Sequence, residues 1–207
     1  SQQKLLTYDE VVRCASVASE MGVQTIRLTG GEPLMRPRLY QLVEWLTQLP
    51  KIKEVALTTN GLLLADQAAG LAKAGLSRLN VSLDSLDEAR FEKISRRSGL
   101  QRILEGLEEA SRQGFQSIRM NAVSIRGLTE EDIVPLAEFC RKHFFHLRFI
   151  EFMPLDAEDA WSREDVLTGR EVRQILERHL CKLSQNKKVD PGQPSIDYTY
   201  TDGGGVV

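Results

Sequence analysis

Three cysteines in 207 residues are too few, and too widely spaced, for a disulfide framework. Cys14, Cys140 and Cys181 also lack the close spacing of metal ligands. No apolar run approaches the ~20 residues that cross a bilayer, and Ser1-Gln2-Gln3-Lys4 does not open a signal peptide. These absences predict a chain of the cytoplasm, with no membrane partner. A formal net charge of −2 argues against non-specific nucleic-acid binding. Histidines number only three. His143 and His146 are three apart but straddle a helix end, so they do not suggest a metal pair. What is present is ordinary for a globular domain, with 42% apolar and 27% charged residues. A chain of this length buries roughly 70% of its unfolded surface without staples.

Helix and strand alternate almost throughout. Thr7-Tyr8-Asp9-Glu10 predicts a capping box, opening a helix with Val11, Ala15, Ala18 and Met21 on one face. Strands are predicted at 24–28, 54–58, 78–83, 117–123 and 146–150. Helices are predicted at 39–46, 66–73, 91–94, 100–112, 129–143 (capped by Thr129) and 171–180 (capped by Thr168). Cys14 and Cys140 sit at helical spacing among apolar neighbours and are expected in the core. Asp156, Glu158, Asp159, Glu164 and Asp165 read as a solvated acidic loop. In the tail, Pro191-Gly192-Gln193-Pro194 reads as a loop and 196–201 as a strand.

Strands each followed by a helix predict a parallel sheet. Doubly wound sheets are apolar on both faces, but these strands alternate. One face carries Ile26, Leu28, Val55, Leu57, Leu79, Val81, Ile118 and Met120. The other carries Arg27, Thr29, Thr58, Asn60, Asn80, Ser82, Asp84, Arg119, Asn121 and Arg148. Helices on one face and polar groups on the other predict a (β/α) barrel, or part of one, with a wet lumen. The alternative is an antiparallel sheet with a solvated face.

The densest signal is Gly30-Gly31-Glu32-Pro33 at the end of the first strand. Paired glycines allow positive φ and close approach of a ligand to the backbone. Pro33 biases Glu32 toward an extended conformation. The end of a parallel strand is where α/β folds place small-molecule sites. Arg27, Arg119 and Arg148 are expected to point into the lumen. Buried guanidinium groups are costly unless an anion pairs with them, and their fork suits phosphate. The alternative is internal pairing with Asp84 and Glu151. Thr58, Ser82 and Asn121 add neutral hydrogen-bonding groups of the kind a ribose or base requires.

Together, Gly30-Gly31-Glu32-Pro33, Thr59-Asn60-Gly61 and Asn80-Val81-Ser82-Leu83-Asp84-Ser85 resemble a radical S-adenosylmethionine (SAM) enzyme. Arg119-Met120-Asn121 and Arg148-Phe149-Ile150-Glu151-Phe152-Met153-Pro154 narrow the resemblance to the GTP 3′,8-cyclases of molybdenum cofactor biosynthesis. It runs from Leu6 to the final Gly-rich turn. It implies a partial (β/α)6 TIM-like barrel over 1–186, lacking the first strand, and at 187–207 the start of a C-terminal segment that carries a second cluster.

The resemblance assigns Gly30, Gly31, Glu32, Ser82 and Met153 to SAM. It assigns Arg27, Thr29, Thr58, Arg119, Asn121 and Arg148 to GTP. In that family a reduced 4Fe-4S cluster cleaves SAM to a 5′-deoxyadenosyl radical. The radical takes hydrogen from C3′ of GTP, and C3′ then attacks C8 of guanine. Cyclic pyranopterin monophosphate synthase acts next. Two 4Fe-4S clusters belong to the complete enzymes, on a Cys-x3-Cys-x2-Cys loop upstream and a cysteine trio downstream. Neither motif is in these 207 residues, so the chain is expected to be part of a longer enzyme and inert by itself. An open first edge is expected to promote a homodimer or other self-association. Arg119 stands where the family usually has lysine, and Thr25 where lysine is frequent. Three rivals remain: a radical SAM enzyme with a peptide or another purine as substrate, a nucleotide-binding module without clusters, and a phosphosugar-binding barrel enzyme.

Overall fold

The computed structural model describes residues 5–154, 161–187 and 195–207. The elements, in chain order, are α1 (Tyr8–Glu20), β1 (Thr25–Leu28), α2 (Leu39–Thr47), β2 (Glu54–Thr59), α3 (Leu64–Lys73) and β3 (Arg78–Ser82). They continue with α4 (Glu88–Ser95), α5 (Leu100–Arg112), β4 (Ser117–Ser124), α6 (Ile133–His143), β5 (His146–Glu151), α7 (Gly169–His179), β6 (Leu183–Gln185) and β7 (Tyr198–Tyr200). The chain divides into two compact units. One comprises residues 1–81 and 101–118, the other 82–100 and 119–207.

In the first unit, β1 and β2 are parallel, as are β2 and β3. Leu42, Val43 and Leu46 of α2 and Leu64, Ala68 and Leu71 of α3 are buried, as are Val55, Leu57, Leu79 and Val81. Ile26 and Leu28 on β1 are only half-buried. The capping box at Thr7 and Glu10 forms as the sequence predicts. Of the face expected for α1, Val11, Ala15 and Ala18 are half-buried, but Met21, at its end, is 83% exposed. Cys14 is exposed too, so the core role expected for it is corrected. α1 buries one residue outright, Ser19.

In the second unit, β4 and β5 are parallel, with Arg119 opposite His146 and Asn121 opposite Arg148. Alternation along β4 is strict, every second residue being buried. Met120 meets Cys140 of α6 across 3.4 Å between sulfurs. Burial pushes the Cys140 thiol up to about 12, so this cysteine is the core residue the sequence predicts. Thr168 and Glu171 form a reciprocal capping box on α7.

Thr129 behaves differently from the expected cap. Its hydroxyl accepts the Ile125 N–H at 2.7 Å and donates to the Val123 carbonyl at 3.0 Å. The hydroxyl is spent closing the loop after β4. A 3-10 turn, Glu130–Asp132, precedes α6 instead.

The tail strand β7 pairs antiparallel with β6, which the sequence pattern did not reveal. Val206 bridges back to Thr199. Asp156, Glu158, Asp159 and the Pro191–Pro194 loop lie outside the described residues.

Candidate functional site

Gly30 has φ +107, the left-handed conformation expected at this turn, whereas Gly31 does not. Glu32 is extended, with φ −130 and ψ 108, as its place before Pro33 requires. Both glycines are exposed, and a Cβ built on either meets no atom within 4 Å. Neither packing nor left-handed strain therefore demands glycine at 31. What its missing side chain leaves is bare, exposed backbone.

The Glu32 carboxylate turns away from that surface. Its Oε1 accepts the Leu34 N–H at 2.9 Å and the Thr59 hydroxyl at 2.8 Å. Its Oε2 accepts the Asn60 N–H at 2.7 Å. Thr59, 2% exposed, in turn accepts the Gly61 N–H at 3.0 Å. Gln67 of α3 donates to the Leu34 carbonyl at 2.8 Å. The turn after β2 and the loop after β1 are thus bonded into one piece.

Arg27 lies beside Ala56 in the β1–β2 register, and Ala56 beside Arg78. Arg78 pairs with Glu54 at 2.9 Å. Arg27 is exposed, as is Thr29, while Thr58 is half-buried. The burial argument for an anion therefore does not apply to Arg27. β1 hydrogen-bonds to β2 alone among the described residues, and its burial alternates, Thr25 and Arg27 exposed, Ile26 and Leu28 half-buried. Asn80 is 4% exposed and donates to the Leu57 carbonyl at 3.0 Å, so it serves the sheet.

In the second unit, Ser82 is exposed and Leu83 N–H donates to the Asn121 carbonyl at 3.0 Å. Asp84 Oδ1 accepts the Val123 N–H at 2.7 Å. Burial pushes the Asp84 carboxyl up, partly opposed by that bond and helped by the charge of Asp132. Ser85 donates to Asp132 at 2.6 Å, and Arg90 Nε donates to the same carboxylate at 2.9 Å. The motif residues Asp84 and Ser85 thus fasten the loop after β3 to β4 and to the turn before α6.

Arg119, Asn121 and Arg148 lie on one side of the β4–β5 pair and are half-buried. Asn121 Oδ1 is buried and without a hydrogen-bond partner among the described residues. His146 belongs to the same row; the sequence weighed it only as a metal partner of His143 and did not place it beside Arg119. Its imidazole is pushed down by burial, then by Arg119 and more weakly Arg148, with Asp197 acting in the opposite direction. Glu151, weighed as an internal partner for arginine, accepts the Gly169 N–H at 2.7 Å at the start of α7. Met153 is 49% exposed, next to Phe152, whose carbonyl takes the Trp161 indole N–H at 3.0 Å.

A cluster finds no ligand set on these residues. Cys14 is exposed on α1, Cys140 is buried under α6, and Cys181 follows α7. Among the described residues no three His, Cys, Asp or Glu side chains gather as a metal site. Nor is any described helix long and apolar enough to cross a membrane.

Comparison with known proteins gives this geometry a context. A GTP 3′,8-cyclase of Rhodopirellula baltica is 43% identical over 196 residues, covering 94% of this chain and 55% of the relative. The GTP 3′,8-cyclase of Syntrophomonas wolfei is 37% identical over 201 residues, covering 97% and 61%. The chain therefore spans little more than half the length of these relatives. Among solved structures, Streptococcus suis SuiB bound to S-adenosylmethionine superposes with a TM-score of 0.70 at 20% identity. That match covers 86% of this chain and 41% of SuiB. Likeness at that identity shows the fold, and it supports the partial, parallel (β/α) barrel expected from the alternating strands. The model of the radical SAM superfamily matches residues 1–140. With its Gly-Gly-Glu-Pro loop at the end of β1 and its parallel βα order, this chain belongs to the radical SAM superfamily.

Proposed function

We propose that this chain is the substrate-holding part of a GTP 3′,8-cyclase, which cyclises GTP to 3′,8-cyclo-7,8-dihydro-GTP. One observation carries the reading: likeness to curated GTP 3′,8-cyclases extends over 94% of the chain at 43% identity. The strand faces are chemically suited to it. Half-buried arginines beside a buried, unpartnered amide oxygen match a ligand that joins phosphates to hydrogen-bond donors.

In this reading SAM rests on the Gly30-Gly31 backbone, with Ser82 and Met153 as further contacts. GTP is held by Arg27, Thr29, Thr58, Arg119, Asn121 and Arg148. When bound and reductively cleaved, SAM supplies a carbon radical able to take hydrogen from a ribose. The chain's own residues bind the phosphates, fix the sugar and base, and exclude water, which is most of what such chemistry asks of a protein. The working organisation is 1–186 as barrel and 187–207 as the start of a further segment. The reaction belongs in the cytoplasm, ahead of cyclic pyranopterin monophosphate synthase. β1, bonded on one side only, offers an edge for self-association, and light scattering would read that directly.

Calorimetric titration of the chain with GTP, and of its Arg148→Ala variant, tests the substrate class. Binding to the parent that falls about tenfold or more in the variant fits a charge-assisted phosphate contact. Equal binding by both would remove Arg148 from the phosphate contact, and no binding by the parent would favour a substrate other than a nucleotide triphosphate.

A further inference from the structure

Glu32 belongs to the loop read above as the seat of SAM, yet its carboxylate is fully occupied within the protein. Leu34 N–H and the Thr59 hydroxyl take one oxygen, and Asn60 N–H takes the other. Both oxygens face backbone N–H donors. A carboxylate satisfies both at once because it only accepts, whereas a glutamine must present its NH2 group to one of them. The position thus demands the charge and not merely the shape.

We propose that Glu32 is a positioning residue, whose carboxylate joins the Gly30-Gly31 shelf to the Thr59-Asn60-Gly61 turn so that the two respond to a ligand as one body. The proposal rests on the SAM reading of the shelf. Thr59 extends the joint, since its hydroxyl donates to Glu32 and accepts from Gly61. Gly61 is itself held: its φ is +83, and a Cβ there would lie 2.9 Å from Ile103. The turn therefore has little freedom of its own, and Glu32 is the side chain that ties the shelf directly to it, beside the β1–β2 ladder and the Gln67 bond to the Leu34 carbonyl. Occupying the shelf should be felt at Asn60, one residue from the Thr59 that ends β2.

The test uses the chain, radiolabelled SAM in equilibrium dialysis, and amide exchange by NMR. Glu32→Gln should weaken SAM binding about tenfold, and Thr59→Val about threefold. Because both variants break one joint, the double variant should bind within about twofold of Glu32→Gln. In the parent, SAM should slow exchange of the Asn60 amide as well as that of Gly31. In Thr59→Val, which keeps every backbone group, the Asn60 response should shrink while the Gly31 response survives.

Independent, multiplying losses would mean that Glu32 touches SAM itself, and the proposal falls. So it does if SAM protects residues 30–34 of the parent and leaves Asn60 unchanged. Absence of any SAM response in the parent overturns the SAM reading first, and this inference with it. Should Glu32→Gln fail to fold, the parent and Thr59→Val responses still decide the question.

Discussion

Arg141 grips Asp202 with both arms of its guanidinium, Nη2 lying 2.6 Å from Oδ2 and Nη1 3.3 Å from Oδ1. The same guanidinium lies over the Tyr200 ring at 4.3 Å. The Gly-rich end of the chain is thereby latched to α6. The Arg141 hydrogen bond is the main reason the Asp202 carboxyl is pulled down to about 2, with the Gly204 amide adding to it. A depressed carboxyl stabilises the fold above its ordinary range and loses that contribution as pH falls through its folded value. Asp202→Asn should therefore unfold at lower urea than the parent at pH 6, and the difference should close toward pH 2. A difference that persists undiminished at low pH would contradict the latch.

Gly204 sits so close to that latch that a Cβ would lie 2.3 Å from Arg141 Cζ. Gly204→Ala should displace the guanidinium and mimic Asp202→Asn. Gly61→Ala should cost more, about 1–3 kcal/mol, because it combines a left-handed φ with a clash against Ile103. Gly114 has φ +71 but open space around it, so Gly114→Ala isolates the conformational part, about 1 kcal/mol. Urea midpoints rank the three. Equal losses at 61 and 114 would remove the role given to Ile103.

Partial burial pushes the Asp84 carboxyl above its ordinary value. A raised carboxyl means that the folded state binds protons more readily than the unfolded one, so this group's contribution falls as pH climbs above the ordinary carboxylate range. Asp84→Asn keeps an oxygen for the Val123 N–H and sheds the charge. At pH 7 it should melt at or above the parent temperature, whereas Asp84→Ala, which orphans that N–H, should melt lower. A fall with Asn as large as with Ala would show that the charge itself is needed.

His146 reports on the β4–β5 row. Its imidazole is depressed by burial and by Arg119 and Arg148, so it is neutral at pH 7, and protonating it opposes folding as pH drops below its ordinary value. A polyphosphate on those arginines would supply the opposite field and raise the His146 pKa. With three histidines in the chain, NMR resolves each. Inorganic tripolyphosphate should raise the His146 value. A uniform shift, or none, would argue against phosphate at this row.

Much of the architecture was legible in the sequence because hydrophobic periodicity and capping chemistry are local. The Thr7 and Thr168 boxes, the parallel βα order and the alternation of β4 all follow from residues within a few positions of one another. What escaped depends on distant partners. α1 carries an apolar stripe, yet Met21 at its end stays 83% exposed while Val11, Ala15 and Ala18 are half-buried. Thr129 looks like a cap until Val123 and Ile125 claim its hydroxyl. Arg27 reads as a buried cation because strand alternation says nothing about how much of β1 is covered. His146 carries no motif, and only the β4–β5 register sets it beside Arg119. Glu32 was marked for SAM by resemblance, and its three internal hydrogen bonds appear only once β2 is placed.

The decisive measurement is an anaerobic reaction of this chain together with its flanking coding sequence, reduced and supplied with SAM and GTP. Formation of 5′-deoxyadenosine together with 3′,8-cyclo-7,8-dihydro-GTP is the predicted result. Deoxyadenosine with GTP left intact would keep the superfamily and remove the substrate. Neither product, from protein shown to carry its clusters, would contradict the cyclase reading and leave a nucleotide-binding module.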